Sequence, residues 1–202
     1  MKNLIIALAI SLASFSMLAC NNTNRSSANS KKDLIASTNA ARITVASNQT
    51  KHGVDPKTTA SVKEMVENYL QLKNALSKDN SNEAAMAGKA LADGFGKFDK
   101  SSLTTAQKKP FEDIADDAHE MSEHIGESAG KLPHQREHFD MLSKDMIDLV
   151  KLFGAGRPLF VDHCPMYNNN RGADWLSETK GIKNPYLGTK MPTCGSVREE
   201  LK

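Results

Sequence analysis

Residues 110–153 read PFEDIADDAHEMSEHIGESAGKLPHQREHFDMLSKDMIDLVKLF, and this stretch decides the fold. Phe111, Ile114, Ala118, Met121 and Ile125 recur at alternating intervals of three and four, which places one apolar stripe on a helix. Gly130-Lys131-Leu132-Pro133 interrupts the pattern, since glycine ends helices and proline opens them. Phe139, Leu142, Met146, Leu149 and Phe153 then resume the same alternation, up to a stop at Gly154 or Gly156. Two amphipathic helices joined by so short a turn pack as antiparallel neighbours.

The earlier of these helices starts near Thr104 or Pro110. Upstream, Asp55-Pro56 opens a helix running to about Ser77, with Val62, Val66, Tyr69, Leu72 and Leu76 on its stripe. Asp79-Asn80-Ser81-Asn82 breaks it, with Ser81 or Asn82 as the next N-cap. The following helix, about Glu83 to Phe98, is alanine-rich and carries Gly88, Gly94 and Gly96. It is expected to be the weakest, because each interior glycine costs about 1 kcal/mol against alanine. No stretch sustains period-two alternation with β-branched residues. The expected architecture is therefore all-α: an antiparallel four-helix bundle with a long, mostly irregular C-terminal extension packed on it.

Heptad lettering sharpens the hairpin. With Phe111 and Phe139 at a positions, His124 and His138 both fall at g, along one shared edge of an antiparallel pair. Each is seven residues from Lys131, so both stand about 10 Å above the turn. Two facing imidazoles suit a transition metal, although solvated surface histidines share that spacing. Asp117 and Asp145 pair further up by the same construction. His119 and His134 fall at outer positions and read as surface residues, and His52 lies in a polar tether.

The N-terminus reads as an export signal. Lys2 precedes an apolar run from Leu4 to Ala13, too short to span a membrane, and Ser16-Met17-Leu18-Ala19-Cys20 resembles a lipobox. The expected organisation is a signal peptide over 1–19, a flexible tether over 20–57 from a lipidated Cys20, and a folded helical domain over 58–202. No acidic residue follows Cys20 closely, which predicts the periplasmic face of the outer membrane. The formal charge of +2, with both signs interspersed, argues against nucleic acid as a partner.

The extension carries the densest chemistry: His163-Cys164-Pro165-Met166, then Met191-Pro192-Thr193-Cys194-Gly195. Thiolates and thioethers favour Cu(I) or Ag(I), and imidazole suits copper as well. Cys164, Met166 and Cys194 are the leading ligands; Met191, His163, His124 and His138 follow. The rival is a Cys164–Cys194 disulfide closing a loop of about thirty residues, worth roughly 3–4 kcal/mol. The residues alone leave the two open. Trp175, Leu176, Ile182, Tyr186 and Leu187 read as anchors docking the extension on the bundle.

The run His163-Cys-Pro-Met-Tyr167, with Gly172-Ala-Asp-Trp-Leu-Ser177, Ile182-Lys-Asn-Pro-Tyr-Leu-Gly188, Met191 and Cys194-Gly195, resembles an uncharacterised bacterial periplasmic domain of unknown function. That domain stands alone in small lipoproteins and is fused to periplasmic adaptors of copper and silver efflux systems. Tyr69-Leu-Gln-Leu-Lys-Asn-Ala75 and Gln135-Arg-Glu-His-Phe139 are similar to its helical part. The resemblance implies Cys164, Met166, Met191 and Cys194 as motif positions, copper as the associated ion, and an efflux adaptor as partner. Leu187 stands where an aromatic is usual, a change expected to affect packing only. No redox Cys-x-x-Cys, nucleophile elbow, phosphate loop or haem-attachment motif is present, so a binding protein is expected and not an enzyme.

Overall fold

The computed structural model describes residues 53–202; Cys20, the signal segment and His52 lie outside them. Four helices come first: α1 (Pro56–Ser77), α2 (Ser81–Gly96), α3 (Thr105–Glu127) and α4 (Leu132–Phe153). Their starts follow capping chemistry. The Asp55 side chain accepts from the Lys57 amide with Pro56 in the first turn, and Asn80 accepts from the Glu83 amide. At α3 the side chains and backbones of Thr104 and Gln107 form a capping box, so the helix begins there and carries Pro110 inside it. Gly154, at φ 79°, ends α4.

The expected stripes form the core. Val62, Met65, Tyr69, Leu72, Leu76, Phe111, Ala118, Ile125, Phe139, Leu142, Met146 and Leu149 are all buried in one cluster. Phe98 stacks on Phe111 at 4.2 Å, and Tyr69 on Phe139 at 5.3 Å. Gly88 has a packing reason beyond its helix propensity. A Cβ there would lie 2.9 Å from the Ile125 side chain and 3.0 Å from the Gly126 amide nitrogen, so the small residue lets α2 and α3 approach closely. Among the described residues, no helix is long and apolar enough to cross a membrane.

The bundle is as expected, and the extension is more regular than expected. It holds a three-stranded antiparallel sheet of β1 (Leu159–Cys164), β2 (Ala173–Ser177) and β3 (Ser196–Leu201), in the order β2-β1-β3. Asp162 pairs with Trp175 and Cys164 with Ala173 on one side of β1, and the β1–β3 register slips between Val161 and Asp162. Alternation is missing from β1 because Leu159, Phe160, Val161 and Asp162 are all buried, as in a strand covered on both faces. β3 is exposed nearly throughout and charged, so it carries no apolar signal either.

A few polar ties dock this sheet and its loops on the bundle. The Tyr69 hydroxyl lies 2.8 Å from that of Ser143 and accepts from the Leu176 amide at 3.1 Å. Lys73, with no exposed surface, donates to Glu178 at 2.7 Å, joined by Asn74 at 3.0 Å. Burial opposes the charge on Glu178, yet the Lys73 and Asn74 hydrogen bonds hold its pKa down at about 2. Arg136 donates to the Pro185 carbonyl at 2.8 Å and pairs with Asp79, which also accepts from Thr189. A side chain at Gly188 would collide with both Asp79 and Arg136, and its φ of 55° also favours glycine. The expected anchors Trp175, Leu176 and Tyr186 are buried, with Ile182 and Leu187 packed beside them.

Candidate metal centre

The turn end of the α3–α4 hairpin gathers three imidazoles. His124 and His138 face each other across it with ring centroids 4.7 Å apart, nearly parallel. His134, one turn before His138 on α4, meets it edge-on at 4.5 Å, with the two Nε2 atoms 3.2 Å apart. One ligand atom from each of His124, His134 and His138 lies within 4.8 Å of the others.

That spacing suits a metal. Two nitrogens bound at about 2.0–2.1 Å with a tetrahedral angle between them sit roughly 3.3 Å apart, close to the 3.2 Å observed between His134 and His138. His124 and His134 are each about half exposed, with side-chain exposures of 46% and 47%, so rotation of His124 toward the other two meets little resistance. The third corner is adjustable.

The outer ring nitrogens are backed as metal-bound histidines usually are. His134 Nδ1 faces Glu137 at 3.5 Å, and His124 Nε2 faces Glu120 at 3.6 Å. His138 Nδ1 lies 3.2 Å from the Met121 sulfur. A proton held toward that sulfur leaves the Nε2 lone pair of His138 facing His134. Burial, and then the neighbouring His134 and His124, push the pKa of His138 below its ordinary value. A neutral imidazole is the form that binds metal.

The heptad frame thus places His124 opposite His138, and Asp117 beside Asp145, whose pKa is lifted to about 6 by burial and by Asp117. It misses His134. The residue is exposed, as its outer position indicates, yet at the first turn of α4 it reaches its neighbour one turn along. The legible signal is His134-x-x-x-His138, the spacing that stacks two side chains on one helix face. His119 sits apart, 3.6 Å from Glu123.

The remaining predicted ligands lie in the sheet region. Cys164 and Cys194 come together as free thiols, with sulfurs 3.6 Å apart. His163 precedes Cys164 on β1 and so points to the other face, where its Nδ1 is held by Asp174 at 2.6 Å. Met166 and Met191 are exposed, at 49% and 39%.

Fold and site together define a four-helix domain with a three-histidine cluster able to hold a metal ion. Residues 65–157, which include that cluster, match the model of a family described as "Protein of unknown function (DUF3347)", so the chain contains a domain of this kind. The match runs from within α1 to just past the end of α4 and stops short of the sheet. No curated protein and no solved structure matches the chain.

Proposed function

We propose that this chain is an exported, lipid-anchored heavy-metal binding protein, with copper as Cu(I) the leading ion, serving as a sink or as a donor to an efflux system. The convergence of His124, His134 and His138 on one point carries the reading. Imidazole suits copper and zinc, and soft sulfur nearby favours copper. Four of the five large apolar side chains exposed among the described residues are methionines: Met86, Met141, Met166 and Met191. Thioethers on the surface add nothing to the core, but they offer weak, exchangeable soft contacts.

Anchorage rests on the lipobox ending at Cys20, and the periplasmic face of the outer membrane on the polar, acid-free residues after it. The resemblance of the C-terminal motifs supports an efflux adaptor as partner. The role is one of binding and not of catalysis. Acylation is tested by fractionation: Cys20→Ala is expected to release the protein from membranes, and unchanged partitioning contradicts the anchor.

Metal binding is tested by measuring the metal content of anaerobically purified protein after loading with Cu(I) or Zn(II). Parent protein is expected to retain an ion that His134→Ala and His138→Ala each lose from the hairpin. Equal retention by all three proteins, or none by the parent, overturns the reading.

A further inference from the structure

The sheet region holds a second set of soft donors that the hairpin cluster does not use. Cys164 closes β1 and is fully buried, whereas Cys194 lies half-buried in the turn before β3. Their sulfurs are 3.6 Å apart. A disulfide needs about 2.05 Å. Two thiolates bound to one ion at about 2.3 Å sit roughly 3.8 Å apart at a tetrahedral angle, and up to about 4.6 Å apart when the ion lies in line between them, an opening that falls to the half-buried Cys194. The observed separation is close to the second figure and far from the first.

The spacing is enforced by its surroundings. Asn184, with no exposed surface, donates from its side chain to the Cys194 carbonyl at 2.7 Å. Its side-chain oxygen accepts from the amides of Tyr186 and Leu187, both at 2.8 Å, and its own amide donates to the Pro192 carbonyl at 2.9 Å. One buried side chain therefore ties both ends of the loop that presents Cys194. Gly195 presses that loop against β1, since a Cβ there would lie 2.7 Å from the His163 carbonyl oxygen and 3.0 Å from the Trp175 ring.

These contacts order the region without calling on a disulfide. The loop is ordered by Asn184, and the region is already tied to the bundle through Lys73, Tyr69 and Arg136. What remains is a thiol pair held at ligand spacing, reached from solvent on the Cys194 side.

We propose that Cys164 and Cys194 form a second metal site, for one soft monovalent cation such as Cu(I) or Ag(I), independent of the three-histidine cluster. Binding joins the ion to both sulfurs and releases both thiol protons to solvent, with no change of oxidation state. Asn184 is a positioning residue that touches neither sulfur. The site lies outside residues 65–157, and its standing does not depend on the hairpin reading.

The test uses the full chain carrying Cys20→Ala, in which Cys164 and Cys194 are the only thiols, reduced and kept anaerobic. Cu(I) is delivered from a chromophoric chelator to this protein and to a version that also carries His124→Ala, His134→Ala and His138→Ala. The version lacking the three hairpin histidines is expected to take one Cu(I), with thiolate-to-copper absorption in the near ultraviolet and release of both protons. Cys194→Ser, on the half-exposed side, is expected to abolish the absorption and weaken retention roughly 100-fold or more, with circular dichroism unchanged. Cys164→Ser should match it if it folds, and Cys194→Ser alone decides the matter if it does not. Asn184→Ala should weaken retention less and leave the absorption visible at saturation. A folded, reduced protein without the absorption, or full retention by Cys194→Ser, overturns the proposal. Either result leaves the hairpin reading standing, because His124, His134 and His138 are absent from that protein.

Discussion

The bundle and the sheet region of this chain are held by different means. In the bundle, long apolar stripes on four helices interlock, and no single contact decides the outcome. In the sheet region a handful of polar ties reach back to the bundle: Lys73 to Glu178, Arg136 to Pro185 and Asp79, Tyr69 to Leu176. Distributed burial repeats locally and leaves a period in the sequence. Ties between residues far apart leave none. The two regions are therefore expected to fail differently when perturbed.

The largest effect belongs in the bundle core. Leu142→Ala is expected to cost about 2–5 kcal/mol and to lower one cooperative transition for the whole domain. Asp148→Ala, on the exposed side of the same helix, should cost no more than about 0.5 kcal/mol. Equal melting shifts for the two would mean that the stripes do not define the core.

A second substitution tests whether the sheet region can be loosened separately. Lys73→Met removes the buried ammonium, keeps most of the volume, and leaves Glu178 without its main partner. The expected loss is about 3 kcal/mol, the lower part of the range for breaking a buried pair, because Glu178 keeps 26% exposure and can regain water. Trp175, the only tryptophan, reports from β2. Its emission is expected to change before the helical circular dichroism does. Coincident transitions would show that the tie couples the two regions fully.

The smallest effect has an unusual sign. Asp145 ionises near 3.8 when unfolded, but burial first, and then Asp117 and Asp148, lift it to about 6 in the fold. Between these values the folded form holds the extra proton, so this group's contribution to stability declines as pH rises through the window. Asp145→Asn should then stabilise the protein at pH 7 by about 1 kcal/mol, after allowing for solvent screening. It should also flatten the pH profile between about 4 and 6. Denaturant titrations at a series of pH values check this, and a destabilised variant at pH 7 contradicts it.

The same contrast explains what could be read in advance. The frame set by Phe111, Phe139 and Met146 places Leu142 in the core and brings His124 to His138, because helix geometry converts spacing directly into position. His134 escapes that frame: it belongs to the cluster through its neighbour on α4 and not through the stripe. β1 hides because burial on both faces erases alternation, and β3 because it is exposed and charged. The Asn184 clasp, the Gly188 contact with Asp79 and Arg136, and the meeting of Cys164 with Cys194 join residues with no local pattern in common. The residue types there announce chemistry. Their arrangement needed the fold.

The metal site proposed at the turn end of the hairpin rests on three particular imidazoles, His124, His134 and His138. The most direct measurement follows the histidine ring nitrogens by nuclear magnetic resonance while Cu(I) is added, under reducing conditions, up to one equivalent beyond the thiol pair. His124, His134 and His138 are expected to shift together and saturate at a fixed stoichiometry, while His119 holds its position. Shifts spread evenly over all the histidines, or none at the three in the hairpin, would contradict it.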